Sequence, residues 1–230
     1  MKHLILLLTT VIISLPIHAQ LLIAPTRLVL NADQSVTEKI IVENSSDKPI
    51  RLEIKPVYRP ITLRGVTRTD KNIAQTEDIA EWIKISPPVI RELKPNQRRT
   101  IRLRFSALPA DKNNGEYRAY LWFSPITLAQ GQTTDSQSTG PSFNLDFRVN
   151  SYIPVYAQRG EIEQDVSFQC ESGELRIQNK GKYQFNAMLN TENLQEKLVL
   201  LRQSELVRSL PAKTKVLITQ DEQSLHECTL

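Results

Sequence analysis

The chain has 230 residues, 40% of them hydrophobic and 23% charged, with a formal net charge of +4. That is the composition of a soluble globular protein, not of a disordered or fibrous one, and the length suits two domains of about 100 residues each. So small a charge excess, with no basic stretch interleaved with aromatics, argues against a nucleic-acid-binding protein.

Lys2 opens the chain and is followed by an apolar run from Leu4 to Leu15, then by Pro16, Ile17, His18 and Ala19. The run is short for a bilayer span and lacks a stop-transfer flank, and a small residue precedes a cut at Gln20. Residues 1–19 therefore read as a cleaved signal peptide. The mature chain is expected outside the cytoplasm, which in a Gram-negative source is the periplasm.

From Gln20 onward the dominant period is two, the signature of strands. Leu22 to Ala24 leads through Pro25 into Thr26 to Leu30, and Asn31-Ala32-Asp33 reads as a turn. Val36 to Val42 is a second strand, closed by a run of Asn, Ser, Asp and Pro at 43–49. Ile50 to Ile54 alternates apolar with charged residues, and the polar stretch from Arg59 to Asp78 reads as an irregular hairpin or crossover. Trp82 to Ile85 is a short strand that runs into Ser86-Pro87-Pro88, where the prolines force an extended corner. Leu93 to Gln97 turns into a strand from Thr100 to Phe105, whose Arg102 and Arg104 read as a solvated face. On the next strand, Tyr117, Ala119, Leu121 and Phe123 share a face.

Leu128 to Ser142 is rich in Gln, Thr, Ser and Gly and has no means of building a core. After it, Phe143, Leu145, Phe147 and Val149 alternate with Asn144, Asp146 and Arg148, giving a strand with one strongly apolar face. About seven short strands in this order make an immunoglobulin-like sandwich. The pattern breaks around Tyr156 to Gly160, dividing the mature chain into an N-terminal domain at 20–156 and a smaller C-terminal β-sandwich at 157–230. The second half repeats the theme. Its Glu-, Gln-, Lys- and Leu-rich segment from Leu194 to Leu206 also admits a short helix. The expected class is all-β, two immunoglobulin-like β-sandwich domains.

Cys170 and Cys228 are the two cysteines, both in the second half, and in an oxidising compartment such a pair reads as a disulfide. Of three histidines, only His226 lies beyond residue 19, too few for a Ser-His-Asp relay or a zinc cluster. The glycines form no phosphate-cradling loop. No enzyme, metal, cofactor or small-molecule substrate is expected.

The residues resemble the PapD-like chaperones of chaperone–usher pilus assembly, over nearly all of the mature chain. The likeness rests on Thr26-Arg27 in the first strand and on Ile85-Ser86-Pro87-Pro88-Val89 followed by Leu93-Lys94-Pro95 and Ile101-Arg102-Leu103. It continues in Leu108-Pro109-Ala110-Asp111 before the aromatic strand, in the polar loop before an alternating apolar strand, and in the second domain that follows without a linker.

The resemblance implies strand donation. A pilin subunit lacks the last strand of its sandwich, and the chaperone lends an edge strand whose alternate side chains fill the open groove. Here those would be Phe143, Leu145, Phe147 and Val149. The family also anchors the subunit's C-terminal carboxylate on basic residues, and Arg27 matches the arginine of the first strand. The second anchor departs from the best-known branch, which has a lysine where this chain has Tyr152. Arg118 is the favoured replacement, with Arg148 in reserve, a pattern closer to the archaic and alternative branches. The implied partners are pilin subunits and an outer-membrane usher, with self-association as a means of capping the apolar strand. The competing reading is a structural or adhesive immunoglobulin-like fimbrial protein. Its subunits would be single incomplete domains, against the two domains expected here.

Overall fold

The computed structural model describes residues 20–66, 77–128 and 148–230. The expected signal peptide and the donor residues Phe143, Leu145 and Phe147 lie outside the described residues, as does most of the polar loop before them.

The first unit begins with β1 (Leu21–Ala24), β2 (Leu28–Asn31), β3 (Val36–Asn44) and β4 (Ile50–Val57), then the small hairpin β5 (Ile61–Thr62) and β6 (Gly65–Val66). It continues with β7 (Ile83–Ser86), β8 (Val89–Leu93), β9 (Arg98–Phe105), β10 (Gly115–Thr127) and β11 (Ser151–Arg159). One sheet has the order β1-β3-β9-β7 and the facing sheet the order β2-β11-β10-β4-β8. All their pairings are antiparallel except β2 with β11, which is parallel. The chain changes sheets between β1 and β2, at Pro25, Thr26 and Arg27.

The core between these sheets is built from alternate residues. Ile40 and Val42 from β3 and Ile101, Leu103 and Phe105 from β9 meet Ile50 and Leu52 from β4 and Ala119, Leu121 and Phe123 from β10. Burying a side chain of this size contributes roughly 1.5–3 kcal/mol, so the period of two in the sequence is also the main energetic reason for the register. Asn44 is fully buried, and its amide donates to the carbonyls of Lys48 and Leu93, both at 2.8 Å. Those bonds satisfy a polar group that would otherwise be costly inside the sandwich.

The second unit holds β12 (Val166–Glu171), β13 (Glu174–Asn179), β14 (Phe185–Asn190), β15 (Gln195–Leu200), β16 (Ser204–Ser209), β17 (Lys215–Gln220) and β18 (Gln223–Thr229). Its sheets have the orders β12-β13-β16 and β15-β14-β17-β18, around a core that includes Leu175, Ile177, Phe185, Leu189, Val216 and Ile218. The fold is two immunoglobulin-like β-sandwiches, the second smaller. Cys170 on β12 and Cys228 on β18 are joined as a disulfide across its two sheets.

Two details depart from the sequence reading. The segment Leu194 to Leu206 is not helical: it forms β15, a turn and β16. Leu198 and Leu200 enter the core at a spacing of two, and that packing overrides a helix propensity worth only tenths of a kcal/mol per residue. Second, β11 runs unbroken through Tyr156 to Arg159, paired with β10 and β2. Gly160 then turns the chain at a φ of +80, and a Cβ there would lie 2.6 Å from Asn114 Cγ. Only glycine fits that approach.

The sandwiches meet at this turn. Tyr183 donates its hydroxyl proton to the Arg159 carbonyl, and the Glu116 amide donates to the Lys182 carbonyl at 3.0 Å. Arg202 Nη1 donates to the Glu116 carbonyl at 2.9 Å, and the Glu205 amide to the Leu63 carbonyl at 2.6 Å.

Candidate functional site

Because Tyr117, Ala119, Leu121 and Phe123 point into the core, Glu116, Arg118, Tyr120 and Trp122 must lie on the opposite face of the five-stranded sheet. The same alternation on β11 sends Ile153, Val155 and Ala157 inward and Tyr152, Pro154, Tyr156 and Gln158 outward. Register then sets the neighbours. Glu116 faces Gln158, Arg118 faces Tyr156, Tyr120 faces Pro154 and Trp122 faces Tyr152.

The result is a band of cations lying on aromatic rings. Arg27 Cζ is 5.2 Å from the Tyr156 ring centroid, and Arg118 Cζ is 5.6 Å from Tyr58 and 5.9 Å from Tyr120. Arg59 lies 5.2 Å from the Tyr152 ring and donates Nη2 to that residue's hydroxyl at 2.8 Å, while Lys55 Nζ is 4.5 Å from Trp122. Tyr120 and Tyr152 meet edge to face with centroids 6.5 Å apart. Each such cation–ring contact is worth about 0.5–2 kcal/mol, more where water is excluded.

The arginines differ in how fully they are used. Arg159 is bonded at every nitrogen: Nε bonds Asp33 at 2.7 Å, Nη1 the carbonyls of Pro109 and Lys112, and Nη2 that of Leu108. Arg118 is 1% exposed, and its Nη2 donates to the Arg59 carbonyl at 2.6 Å. Its backbone amide donates to Glu77 and its carbonyl accepts from Ile79, so β10 fastens the segment ahead of β7. Arg27 is partly exposed. Beyond the Tyr156 ring, its guanidinium has no hydrogen bond or ion pair among the described residues.

Glu116 lies at the edge of this band, 1% exposed. One carboxylate oxygen accepts from Gln158 Nε2 at 2.7 Å and the other has no hydrogen bond. Burial pushes its carboxyl up, opposed by Gln158, Gln184 and the charge of Arg27. Burial likewise pushes the Tyr156 phenol up to about 12, with the Tyr120 and Glu116 side chains adding to the rise. Tyr58 is raised by burial and by Glu77, whose carboxylate accepts its hydroxyl proton at 3.0 Å.

The structure thus brings Arg27 and Arg118 together on one face, on either side of Tyr156. Arg148 and Val149 are exposed and precede β11, outside any strand. Arg59 was not singled out in the sequence, although it supplies a cation directly over Tyr152, where the lysine is absent. No local pattern in the sequence marks it, because its partner Tyr152 lies 93 residues further on. In the second unit, His226 stacks on Phe168 at 5.1 Å with Nε2 3.7 Å from Cys170 Sγ. The three side chains of Cys170, His226 and Cys228 converge there, but both sulfurs are committed to the disulfide.

No protein-family model matches the chain, and no curated protein matches it in sequence. Solved structures do match in fold. The Escherichia coli chaperone DraB aligns at a TM-score of 0.56 and 16% identity, covering 93% of this chain and 98% of that one. A Salmonella enterica structure of the SafA pilin in complex with the SafB chaperone aligns at 0.55 and 13%, over 91% and 96%. The CsuC–CsuE chaperone–tip adhesion subunit complex from the archaic Csu pili of Acinetobacter baumannii aligns at 0.50 and 17%, over 84% and 91%. The chain therefore has the two-sandwich fold of the pilus-assembly chaperones.

Proposed function

We propose that this chain is a periplasmic chaperone that holds pilus subunits by donating a β-strand and delivers them to an outer-membrane usher. The observation that carries the reading is Arg27. It is a guanidinium at the point where the chain changes sheets, on the band of cations and rings, and no carboxylate is in ion-pair contact with it among the described residues. A subunit's C-terminal carboxylate would complete it through paired N–H···O bonds. Arg118, held beneath the surface by its own partners, contributes positive potential to the same place rather than a direct contact. Arg148 stays in reserve as an exposed cation nearer the donor residues.

Two further observations support the reading. SafB is solved with the SafA pilin and CsuC with the CsuE subunit, so proteins of this fold hold pilus subunits. In addition, β10 and β11 pair as far as Phe123 with Ser151, while β10 continues to Thr127. Ser124 to Thr127 of β10 therefore have no β11 partner among the described residues, beside the point where the sequence that follows the donor residues enters β11. The chain divides at the Gly160 turn, with the donor and anchor in the first unit. The function requires binding and no turnover.

The test is capture of subunits from periplasmic extract by the tagged mature chain, its Arg27→Ala variant and its Phe147→Asp variant. Small pilin-like proteins should co-purify with wild type and be lost with both variants. If both variants keep the same partners as wild type, the reading fails.

A further inference from the structure

The sheet β1-β3-β9-β7 has an outer face of its own, on the side of the molecule away from the band of rings. Register arranges it in rows. Leu22, Glu43 and Arg98 form one row, and Ala24, Ile41 and Thr100 the next. Lys39, Arg102 and Ser86 form the third, and Thr37, Arg104 and Lys84 the fourth.

The first row is neutralised, since Arg98 Nε bonds the Glu43 carboxylate at 2.5 Å. The last two rows are not. Lys39, Arg102, Arg104 and Lys84 are all exposed, and none forms an ion pair among the described residues. Two of the direct cross-strand pairs, Lys39 with Arg102 and Lys84 with Arg104, set like charges opposite each other. Such pairs destabilise a sheet, and neighbouring strands are only about 4.8 Å apart. The fold carries this repulsion on one face although the whole chain has a net charge of only +4. In the row beside the quartet Ile41 is 43% exposed, and one row further Leu22 is 49% exposed.

We propose that this face docks on an anionic lipid surface. Four uncompensated cations on a sheet face, next to exposed aliphatic side chains, match a leaflet of acidic headgroups over an apolar interior. Each cation near such a surface adds about fivefold to binding. Headgroups move laterally and can meet all four cations together, whereas an acidic protein would have to match a fixed grid of charges. The face does not include Arg27 or the donor residues, so the proposal stands apart from strand donation.

The experiment is co-sedimentation of the full mature chain with vesicles of phosphatidylcholine alone or containing phosphatidylglycerol, at low and at physiological salt. The wild-type chain should sediment with the acidic vesicles alone, and less so as salt screens the charges. Arg102→Gln/Arg104→Gln should weaken binding about 30-fold, the product of two such cations. Lys39→Gln/Lys84→Gln should do the same, and the exposed pair Lys197→Gln/Lys215→Gln in the second unit should have no effect. Unchanged circular dichroism of both patch variants keeps the comparison free of folding defects. Absence of binding to acidic vesicles at low salt overturns the proposal. So does an equal loss in the second-unit variant. Patch-dependent capture of polyglutamate without any lipid binding also overturns it, in favour of an acidic protein partner.

Discussion

Arg27 and Tyr156 meet across the parallel pairing of β2 with β11, the guanidinium carbon 5.2 Å from the ring centroid. Arg118 stands directly opposite Tyr156 in the antiparallel register of β10. One ring thus separates an unsatisfied cation from a buried, fastened one. The two should respond to mutation in opposite ways.

Arg27→Ala should lower affinity for a partner carboxylate by tenfold or more and change stability by about 1 kcal/mol or less, the worth of a part-exposed cation–ring contact. Arg27→Lys should recover only part of the binding, because an ammonium cannot form the paired bonds. Urea unfolding alongside subunit titration separates the two effects.

Arg118→Ala should instead cost about 3 kcal/mol of stability. It removes a 1%-exposed side chain that bonds the Arg59 carbonyl and packs on Tyr58 and Tyr120. A midpoint in urea indistinguishable from wild type would show that the side chain fastens nothing.

Reducing the Cys170–Cys228 bond releases a loop whose ends are 58 residues apart. On the chain-entropy account this lowers stability by about 4 kcal/mol. Denaturant melts of the oxidised chain and of Cys170→Ser/Cys228→Ser should differ by that amount, with the change confined to probes in the second unit.

Burial raises the Glu116 carboxyl above its ordinary value of 4.5. The folded chain therefore holds that proton more tightly than the unfolded one. Its contribution to stability is complete below about pH 4.5 and is lost as the pH rises through the raised value. Glu116→Gln should accordingly be more stable than wild type near pH 8, with the gap closing toward pH 4. A gap that widens on acidification would reverse the assignment.

The sequence disclosed those parts of the fold that depend on alternation. Tyr117, Ala119, Leu121 and Phe123 could be assigned to one buried face because nothing else accounts for a period of two. The same rule puts Arg118 on the opposite face, but the alternation reads as breaking off at Tyr156, whose place across from Arg118 comes only from the strand register. What it did not disclose depends on crossings between distant segments. Arg59 over Tyr152 spans 93 residues and Arg159 with Asp33 spans 126, and neither leaves a local pattern. Leu194 to Leu206 misled for the converse reason: its helix-favouring residues form a clear local pattern, and the packing of Leu198 and Leu200 overruled it.

The disulfide has a topological consequence for the second unit. Along one side the sheets are bridged by the sulfurs between β12 and β18, and along the other by the three-residue link from β15 to β16. Both seams are thus closed covalently, like a cylinder laced on each side. An outer strand cannot swing away to be exchanged with another copy without dragging its partner sheet along. In the first sandwich both seams are joined by short links alone, Pro25 to Arg27 between β1 and β2 and Pro87-Pro88 between β7 and β8, with no disulfide among the described residues.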